Sequence, residues 1–366
     1  MTPSAETTLS GIALLGRQDH PTDALEDYSR QLAGALQRKR FSLDVVRARW
    51  DEVGWSAALR DIEKRVAENR GQWVLVQYTA LAWSNRGFPV KFAQLVRKLK
   101  RAGARILIVF HDSGPYPGNR LIDRVRQRVQ LAVMRRAARM ADRIVSTTSV
   151  ERVPWMQKPE ILAKTRSIPV GSNLPAVPRE AREQGSRALE IVTFGVNDVA
   201  SKGPLIASVV RRASEEIGAI HLTVFGRGAK AAEEFVRPIL SGSRVELEVF
   251  DILEPERAAN ILANADVQLF VRAGLTSSRG SAIAGIVNGL PVVGFSDHET
   301  GPPITEAGVR LVPVGDREGL VRELVAVLKD PALRESLRER NLQAAEKYFS
   351  WDCIADAYLS VLQNTR

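Results

Sequence analysis

The stretch from Gly274 to Phe295, GLTSSRGSAIAGIVNGLPVVGF, contains the transition that decides the fold. Hydroxyl side chains and one arginine precede a run of small apolar residues, and Asn288-Gly289 separates that run from an apolar segment over residues 291–295. Hydroxyl residues favour a helix start, Asn-Gly favours a helix end, and a short apolar run after such signals is typical of a buried strand. We therefore predict a helix over 281–288 that leads into a strand over 291–295.

The same alternation of apolar runs and amphipathic segments extends from this stretch towards both ends of the chain. It is typical of an α/β protein whose parallel sheets are covered by helices. In the first half the predicted strands are 11–15, 42–46, 73–78, 105–110, 143–147 and 165–169, and the predicted helices include 23–38 and 90–101. In the second half the predicted strands are 189–194, 221–225, 245–250, 267–271, 291–295 and 310–313, and the predicted helices include 255–264, 319–329 and 331–348.

The length and composition of the chain indicate two domains. Its 366 residues, 45% of them hydrophobic, supply apolar mass for two cores of conventional size. Residues 172–186, SNLPAVPREAREQGS, are rich in proline and charge and have no apolar period, which is typical of a linker. We predict one domain over residues 1–171 and a second domain that begins at residue 187.

Cysteine usage and the N-terminus indicate the compartment. Cys353 is the single cysteine, and no Cys and His spacing typical of a metal site occurs, so we expect a reducing compartment and no metal. The N-terminus has no basic region, and the apolar run over 12–15 is too short for a signal segment or a membrane span. We expect a protein that is neither exported nor membrane-spanning.

The net charge of +10 is concentrated in one part of the chain. Fourteen basic and three acidic residues lie between Lys91 and Arg143, so the remainder is close to neutral. Within this part, apolar residues at spacings of three and four predict a helix with its apolar stripe packed on the first domain: Leu121, Ile122, Val125, Val129, Ala132 and Val133. Four arginines on its other faces predict contact with an anionic membrane surface: Arg124, Arg128, Arg135 and Arg136. The alternatives are a solvated helix and a nucleic-acid site, and the second is disfavoured because no recognition motif or stacking aromatic accompanies the arginines.

Three loops in the second half have residues suited to phosphate. Such groups bind beyond the carboxyl ends of parallel strands, where helix starts present free N–H groups. The residues that carry this prediction are Gly195, Lys202 and Gly203 in the first loop, Gly226 and Gly228 in the second, and Thr276, Ser277, Ser278, Arg279, Gly280 and Ser281 in the third. Each loop has an alternative interpretation as an ordinary turn or helix cap. A dinucleotide site is disfavoured, because the second loop lacks the third glycine and the acidic residue of that fingerprint.

Two loops in the first half carry polar residues at predicted strand ends. His111 and Asp112 follow the fourth strand, and residues 16–23, GRQDHPTD, follow the first. We expect both loops to face the second domain's loops across a cleft, although an isolated histidine is more often a structural one.

Several segments then resemble retaining GT-B glycosyltransferases, which build bacterial polysaccharides, lipopolysaccharides and glycolipids. The segments are KTRSIPVGSN, SKG, ILANADVQLFVRA, NGLPVVGF and YFSWDCIADAYLSVL. The resemblance implies a GT-B fold, in which two Rossmann-like domains place parallel sheets against a central cleft. It also implies an acceptor-side domain over 1–171, to which residues 349–366 return as a crossing helix, and a donor-binding domain over 187–348.

Two features depart from the family's pattern. The positions that usually carry two glutamates hold Thr276 and Ala284 here, and the arginine usual before the Lys-Gly pair is replaced in the neighbourhood of Val196 and Asn197. Arg279 is expected to supply the missing positive charge at the helix start.

The resemblance implies transfer of a hexose-type sugar, with retention, from a nucleotide diphosphate to a lipid-linked or growing glycan acceptor. UDP is the expected nucleotide, no further cofactor is implied, and the site is expected on the cytoplasmic face of the inner membrane. The implied roles are diphosphate binding for Lys202, Gly203 and Ser277–Ser281, nucleotide binding for Gly195, Gly226, Gly228 and Thr276, sugar contact and catalysis for His111 and Asp112, and acceptor contact for Gly16, Asp19, His20 and Asp23. The alternatives are an inactive nucleotide-sugar-binding subunit and a sugar-nucleotide epimerase.

Overall fold

The computed structural model describes residues 9–180 and 188–363 and divides into two compact units. The first unit extends to Pro169 and includes the residues from Trp351 onward, and the second unit is Val170–Ser350. The segment predicted as a linker, 172–186, begins inside the second unit, where the Val177 amide donates to Asn288 Oδ1 at 3.0 Å. The part of that segment from residue 181 lies outside the described residues.

The first unit contains a parallel sheet with helices around it. Its strands are β1 Leu9–Leu15, β2 Phe41–Arg47, β3 Trp73–Tyr78, β4 Arg105–Phe110, β5 Arg143–Ser146 and β6 Thr165–Ser167. They form one six-stranded sheet in the order β2-β1-β3-β4-β5-β6. Its helices are α1 Ala24–Arg38, α2 Trp50–Val53, α3 Trp55–Glu68, α4 Phe92–Arg101, α5 Leu121–Met140 and α6 Pro159–Leu162, and short helical turns lie at Val150–Arg152 and Pro154–Gln157.

The central strands of this sheet show why their sequences form buried β-structure. β3 is WVLVQY and β4 is RILIVF, and nearly every residue in both is buried. A sheet covered on both faces needs apolar side chains at consecutive positions, and not only at alternate ones. Gln77 is the polar exception in β3, and its side chain is fully buried.

The end of the described chain packs against the first unit's opening helix. We name this last helix α13, Trp351–Gln363. The Tyr28 and Tyr358 hydroxyls form a buried hydrogen bond of 2.8 Å, and Arg38 forms a salt bridge of 2.8 Å with Asp352. Because two buried hydroxyls satisfy each other, neither is left unpaired in the core.

The second unit repeats the arrangement. Its strands are β7 Leu189–Phe194, β8 Ile220–Phe225, β9 Val245–Val249, β10 Val267–Phe270, β11 Val292–Ser296 and β12 Val309–Pro313. They form a six-stranded parallel sheet in the order β12-β11-β10-β7-β8-β9. Its helices are α7 Val199–Ile217, α8 Ala229–Leu240, α9 Pro255–Asn264, α10 Gly280–Val287, α11 Arg317–Lys329 and α12 Pro331–Ala344, followed by a wider helical turn at Ala345–Phe349. Both sheets confirm the predicted parallel α/β fold.

The helix and strand predicted from the opening stretch are confirmed as α10 and β11. The Asn288 side chain donates to the Ala284 carbonyl at 2.9 Å, and Gly289 adopts a positive φ of 72° where the helix ends. The small residues of α10 make room for a side chain, because a Cβ on Gly285 would lie 2.1 Å from Gln268 Oε1. The approach of the Gln268 side chain therefore explains the glycine at position 285.

The predicted packing of the apolar stripe on α5 is wrong in its first turns. Leu121, Ile122 and Val125 are 79%, 54% and 50% exposed. The buried face of α5 lies further along the helix, at Gln130, Val133, Met134, Ala137 and Ala138. Spacing alone identified a continuous apolar face, but only its C-terminal part is covered.

Within residues 9–180 and 188–363, no helix is both long enough and apolar enough to cross a membrane.

Candidate functional site

The three predicted phosphate loops lie at one edge of the second unit's sheet. They follow β7, β8 and β10, which are neighbours in the order β10-β7-β8. The Gly195 amide donates to the Phe225 carbonyl at 2.7 Å, and the Val196 amide donates to the Arg227 carbonyl at 2.9 Å. Because main-chain bonds join the first two loops, they form one rigid edge.

Contacts between loops explain the glycine at position 228. It has a φ of 82°, and a Cβ there would lie 2.1 Å from the Val196 carbonyl oxygen. Gly195 also has a positive φ of 72°, but a Cβ there would meet nothing closer than 4.0 Å. The predicted contacts of Gly195, Gly226 and Gly228 with a nucleotide stay predictions.

Three arginines lie together at this edge. Arg272 lies two residues after the end of β10 and is not among the predicted site residues. Burial and, to a smaller extent, the nearby positive charges of Arg279 and Arg227 together lower its pKa to about 10. Its Nε donates to Asn197 Oδ1 at 3.2 Å. The signal in the sequence is a polar or charged side chain at the carboxyl end of a buried strand, and His111 shows the same signal after β4.

Three cations of this edge lack a salt bridge within the described part of the chain. Among the described residues, no carboxylate forms a salt bridge with Arg272, Arg279 or Lys202. Arg279 Nε is buried and has no hydrogen-bond partner there. Clustered cations of this kind favour a bound anion, and guanidinium groups match phosphate oxygens in geometry.

Lys202 and Gly203 lie in α7, and their surroundings differ. Lys202 is half-buried in the first turn after the exposed N-cap Asp198. Gly203 is buried against α8, where an added Cβ would lie 2.8 Å from Phe235 Cβ. The requirement for glycine at 203 therefore comes from helix packing, and the expected approach of a phosphate to its backbone is not needed to explain it.

The loop before α10 is firmly held. Thr276 and Ser277 are 1% and 2% exposed, and Thr276 Oγ1 lies 2.9 Å from Ser278 Oγ. The Gly274 amide donates to Asp297 Oδ2 at 2.9 Å. Ser281 Oγ, in the first turn of α10, is buried and has no hydrogen-bond partner among the described residues. A helix start with an unpartnered hydroxyl can donate to an anion.

In the first unit, His111 follows β4 and is held from two sides. Its Nε2 lies 2.8 Å from Gln77 Oε1, and its ring meets the Tyr28 ring edge-on at 4.9 Å. Burial lowers the pKa of His111 from 6.5 to about 3, so the imidazole is neutral near pH 7. A neutral ring can exchange hydrogen bonds with a sugar hydroxyl but does not serve as a general acid at that pH.

Asp112 lies beside His111 in the chain and accepts a hydrogen bond from the Tyr116 hydroxyl at 3.0 Å. Burial, followed by the negative charge of Asp112, raises the pKa of Tyr116. The Asp112 carboxylate is thereby fixed in orientation within the first unit.

The residues predicted on the acceptor side have clear structural roles. Asp23 caps α1 by accepting from the Leu25 and Glu26 amides, both at 3.1 Å, and from Arg47 at 2.9 Å. A Cβ on Gly16 would lie 2.1 Å from the Ala82 carbonyl oxygen. Asp19 Oδ1 accepts the amide of the exposed His20 at 3.0 Å. Asp23 and Gly16 build this loop, and contact with an acceptor stays a prediction for all four residues.

Among known proteins, solved structures are similar to this chain, and the similarity lies in the fold. Neither a protein-family model nor a curated protein matches the sequence. Among solved structures, sucrose-phosphate synthase from Thermosynechococcus elongatus is similar with a TM-score of 0.67 and 18% identity, over 97% of this chain and 98% of that one. The chain has the GT-B fold.

Two further structures show the breadth of this fold. HepE of Anabaena, solved in complex with UDP-glucose, has a TM-score of 0.68 and 12% identity, over 97% of this chain and 99% of that one. A putative UDP-N-acetylglucosamine 2-epimerase from Listeria monocytogenes has a TM-score of 0.63 and 16% identity, over 98% of both chains. At such identities the likeness concerns the fold, and function must be argued from the site.

We expect His111 to stay neutral in the folded protein well below its ordinary range. Because its pKa is depressed on folding, its contribution to stability is full above about pH 6.5 and is lost as the pH falls from there towards about 3. NMR titration of the ring between about pH 8 and pH 5 should show an almost constant chemical shift, with the other three histidines compared in the same spectra. In urea unfolding, the stability of a His111→Asn variant should fall less between pH 7 and pH 5 than that of the unaltered chain. Full protonation of His111 at pH 5 would contradict the assignment.

Proposed function

We propose that this chain transfers a hexose-type sugar from a nucleotide diphosphate sugar, with UDP as the nucleotide, to a lipid-linked or growing glycan acceptor. The observation that carries the proposal is the group of Arg272, Arg279 and Arg227 at the edge formed by β10, β7 and β8. The donor diphosphate binds Arg272, Arg279 and Lys202, and the start of α10 contributes the Ser281 hydroxyl. In this assignment, the negatively charged diphosphate is the partner of Arg272, Arg279 and Lys202.

In the proposed reaction, negative charge develops on the diphosphate as the bond between the sugar's anomeric carbon and the phosphate oxygen breaks. The acceptor hydroxyl oxygen bonds to that carbon on the same face, and its proton passes to the departing phosphate oxygen. Fixed cations at the diphosphate stabilise the charge where it forms, which is commonly a large term in catalysis. An enzyme base is not required, and this agrees with a neutral His111 whose contribution is to hold the transferred sugar.

In this proposal, arginines of the third loop take the place of the two glutamates expected from the resemblance. Thr276 and Ala284 stand at those positions, and both are 1% exposed. In this proposal Arg272 and Arg279 supply the electrostatic stabilisation. Recognition of the ribose then falls to other residues of the same sheet edge.

Removal of either arginine should weaken nucleotide binding. Hydrogen bonds between charged groups contribute about 1.5–3 kcal/mol each, so Arg272→Ala and Arg279→Ala should each raise the Kd for UDP by roughly 10- to 100-fold. Isothermal titration calorimetry measures this change. The matched control is Arg237→Ala, which removes an exposed arginine of the same unit that is salt-bridged to Glu233. Unchanged affinity in both site variants would disprove the assignment.

Turnover separates the proposal from its alternatives. A panel of UDP-, GDP- and dTDP-sugars is incubated with the chain, and the products are identified by mass spectrometry and NMR. Transfer to a glycan or to water supports the transferase, and an epimerised nucleotide sugar favours the epimerase. Nucleotide binding without conversion of any donor favours the inactive binding subunit.

We further propose that the transferase works at an anionic membrane surface. The exposed Leu121, Ile122 and Val125 of α5 lie among exposed arginines: Arg120, Arg124, Arg128, Arg136 and Arg139. Apolar side chains flanked by cations are typical of helices that lie in a membrane interface. Arg135 is less suited to this contact than the sequence indicated, because it is half-buried and its Nε is fully buried.

Charge reversal on α5 should abolish vesicle binding. Each basic residue near an anionic surface contributes about 1 kcal/mol, so changing Arg124, Arg128 and Arg136 to Glu should weaken binding to phosphatidylglycerol vesicles by more than about 100-fold. Replacing Leu121, Ile122 and Val125 with Ser should also weaken it, without a change in charge. The control reverses three exposed arginines of the second unit, Arg211, Arg237 and Arg322. Equal binding of the unaltered chain to phosphatidylcholine vesicles, or no loss in the α5 variants, contradicts the proposal.

A further inference from the structure

Gln268 is a fully buried polar side chain in the centre of the second unit's sheet. It belongs to β10, VQLF, whose four residues are all buried, and β10 lies between β11 and β7. In the register of the sheet Gln268 is the partner of Val192 on β7, which packs in an apolar cluster with Ala284 of α10 and Leu262 of α9. A side-chain amide in such surroundings loses its contacts with water, and this is unfavourable unless its polar atoms have partners.

The amide of Gln268 has a partner at one end only. Its Nε2 donates to the main-chain carbonyl of Ser281 at 3.0 Å. Because a carbonyl oxygen can only accept, this bond fixes which end of the amide is the nitrogen. Its Oε1 is buried and has no hydrogen-bond partner within the described part of the chain. An unpaired buried oxygen usually destabilises a fold by more than one neutral hydrogen bond stabilises it, so stability alone does not explain Gln268.

Gly285 makes room for this amide beneath α10. A Cβ at position 285 would lie 2.1 Å from Gln268 Oε1 and 3.2 Å from Gln268 Cδ. Glycine inside a helix disfavours that helix compared with alanine, so a second unfavourable feature accompanies the first. Gly285 also lies one turn after Ser281 in α10, the residue whose carbonyl Gln268 binds. Gln268 and Gly285 are therefore matched to each other, although each is locally unfavourable.

The turn that Gln268 holds carries groups of the proposed donor site. Arg279 is the N-cap residue of α10, and the buried Ser281 hydroxyl is without a partner in the described residues. The bond from β10 reaches the main chain of Ser281 itself, the residue whose hydroxyl is assigned to the diphosphate. Groups that are already held in place bind an anion more tightly, because ordering them on binding would lower the affinity.

We infer that Gln268 is a positioning residue for the donor diphosphate. Through the Ser281 carbonyl it holds the first turn of α10 in the orientation that binds phosphate oxygens, and Gly285 keeps the space that its amide needs. This role rests on the proposed donor site, and it does not require Gln268 to touch the nucleotide.

Gln268→Met tests this role, since it keeps the length of the side chain and removes both polar groups of the amide. UDP binding should weaken by roughly 3- to 10-fold, as expected for the loss of one neutral hydrogen bond. The midpoint of urea unfolding should stay the same or rise, because the unpaired oxygen is removed as well. Isothermal titration calorimetry and urea titration measure the two effects. Unchanged affinity for UDP overturns the inference, and so does a fall in affinity that comes with a lower midpoint.

Gly285→Ala is a second variant, in which Gln268 is kept. Alanine favours a helix over glycine, but its Cβ would displace the Gln268 amide, so UDP binding should again weaken by roughly 3- to 10-fold. Full retention of UDP affinity in both Gln268→Met and Gly285→Ala, while the unaltered chain binds UDP, disproves the positioning role alone. If the unaltered chain itself does not bind UDP, the proposed donor site fails and the positioning role fails with it.

The matched control is Gln130→Met in the first unit. Gln130 is also buried, but its amide has partners at both ends: Oε1 accepts the Tyr116 amide at 2.9 Å, and Nε2 donates to the Gly87 carbonyl at 2.8 Å. Its loss should lower the midpoint of urea unfolding and leave the affinity for UDP unchanged. A loss of UDP affinity in this control as large as that in Gln268→Met would overturn the inference.

Discussion

The central constraint in this structure is the positive charge of Arg272, which is half-buried beside two other arginines. Burial and the repulsion from Arg279 and Arg227 disfavour its charged form, and its pKa is lowered to about 10. The group is still charged near neutral pH, so the folded chain carries this electrostatic cost. A bound diphosphate would reverse the sign of the local interaction and favour all three guanidinium groups. The same three guanidinium groups therefore lower the stability of the unliganded chain and raise its affinity for a diphosphate.

The fold determines where this constraint acts. Arg272, Arg279 and Arg227 come from two loops that are far apart in sequence, and they meet because β10, β7 and β8 are neighbours in the sheet. Main-chain bonds from Gly195 and Val196 tie the adjacent loop to the same edge. Since proteins with a GT-B fold include transferases and a putative epimerase, the argument for glycosyl transfer rests on this charged edge and not on the architecture alone.

Much of the fold was predictable because its signals are local. Consecutive apolar residues gave the bounds of β3 and β4 correctly, and Pro255 marked the start of α9. The arginine cluster follows only in part from local sequence. The place of Arg279 before a helix predicts contact with a phosphate there, which stays a prediction, whereas the importance of Arg272 depends on its proximity to Arg279 and Arg227. That proximity follows from strand order, which local patterns do not specify.

Two further differences have the same kind of cause. Helical spacing identified the apolar face of α5, but whether the sheet extends far enough to cover Leu121 depends on tertiary packing. The approach of α8 explains why position 203 holds a glycine, and the predicted contact of Gly203 with a phosphate stays a prediction. Local sequence thus predicts which residue types occupy a loop or helix, and long-range packing decides which of them face a ligand.

The most direct test of the central claim compares UDP, UMP and uridine in calorimetric titrations of the unaltered chain. If the arginine cluster binds the diphosphate, affinity should fall by about tenfold or more from UDP to UMP and again from UMP to uridine, and the affinity for UDP should decrease as salt is added. Equal affinities for the three compounds, independent of salt, would contradict the account.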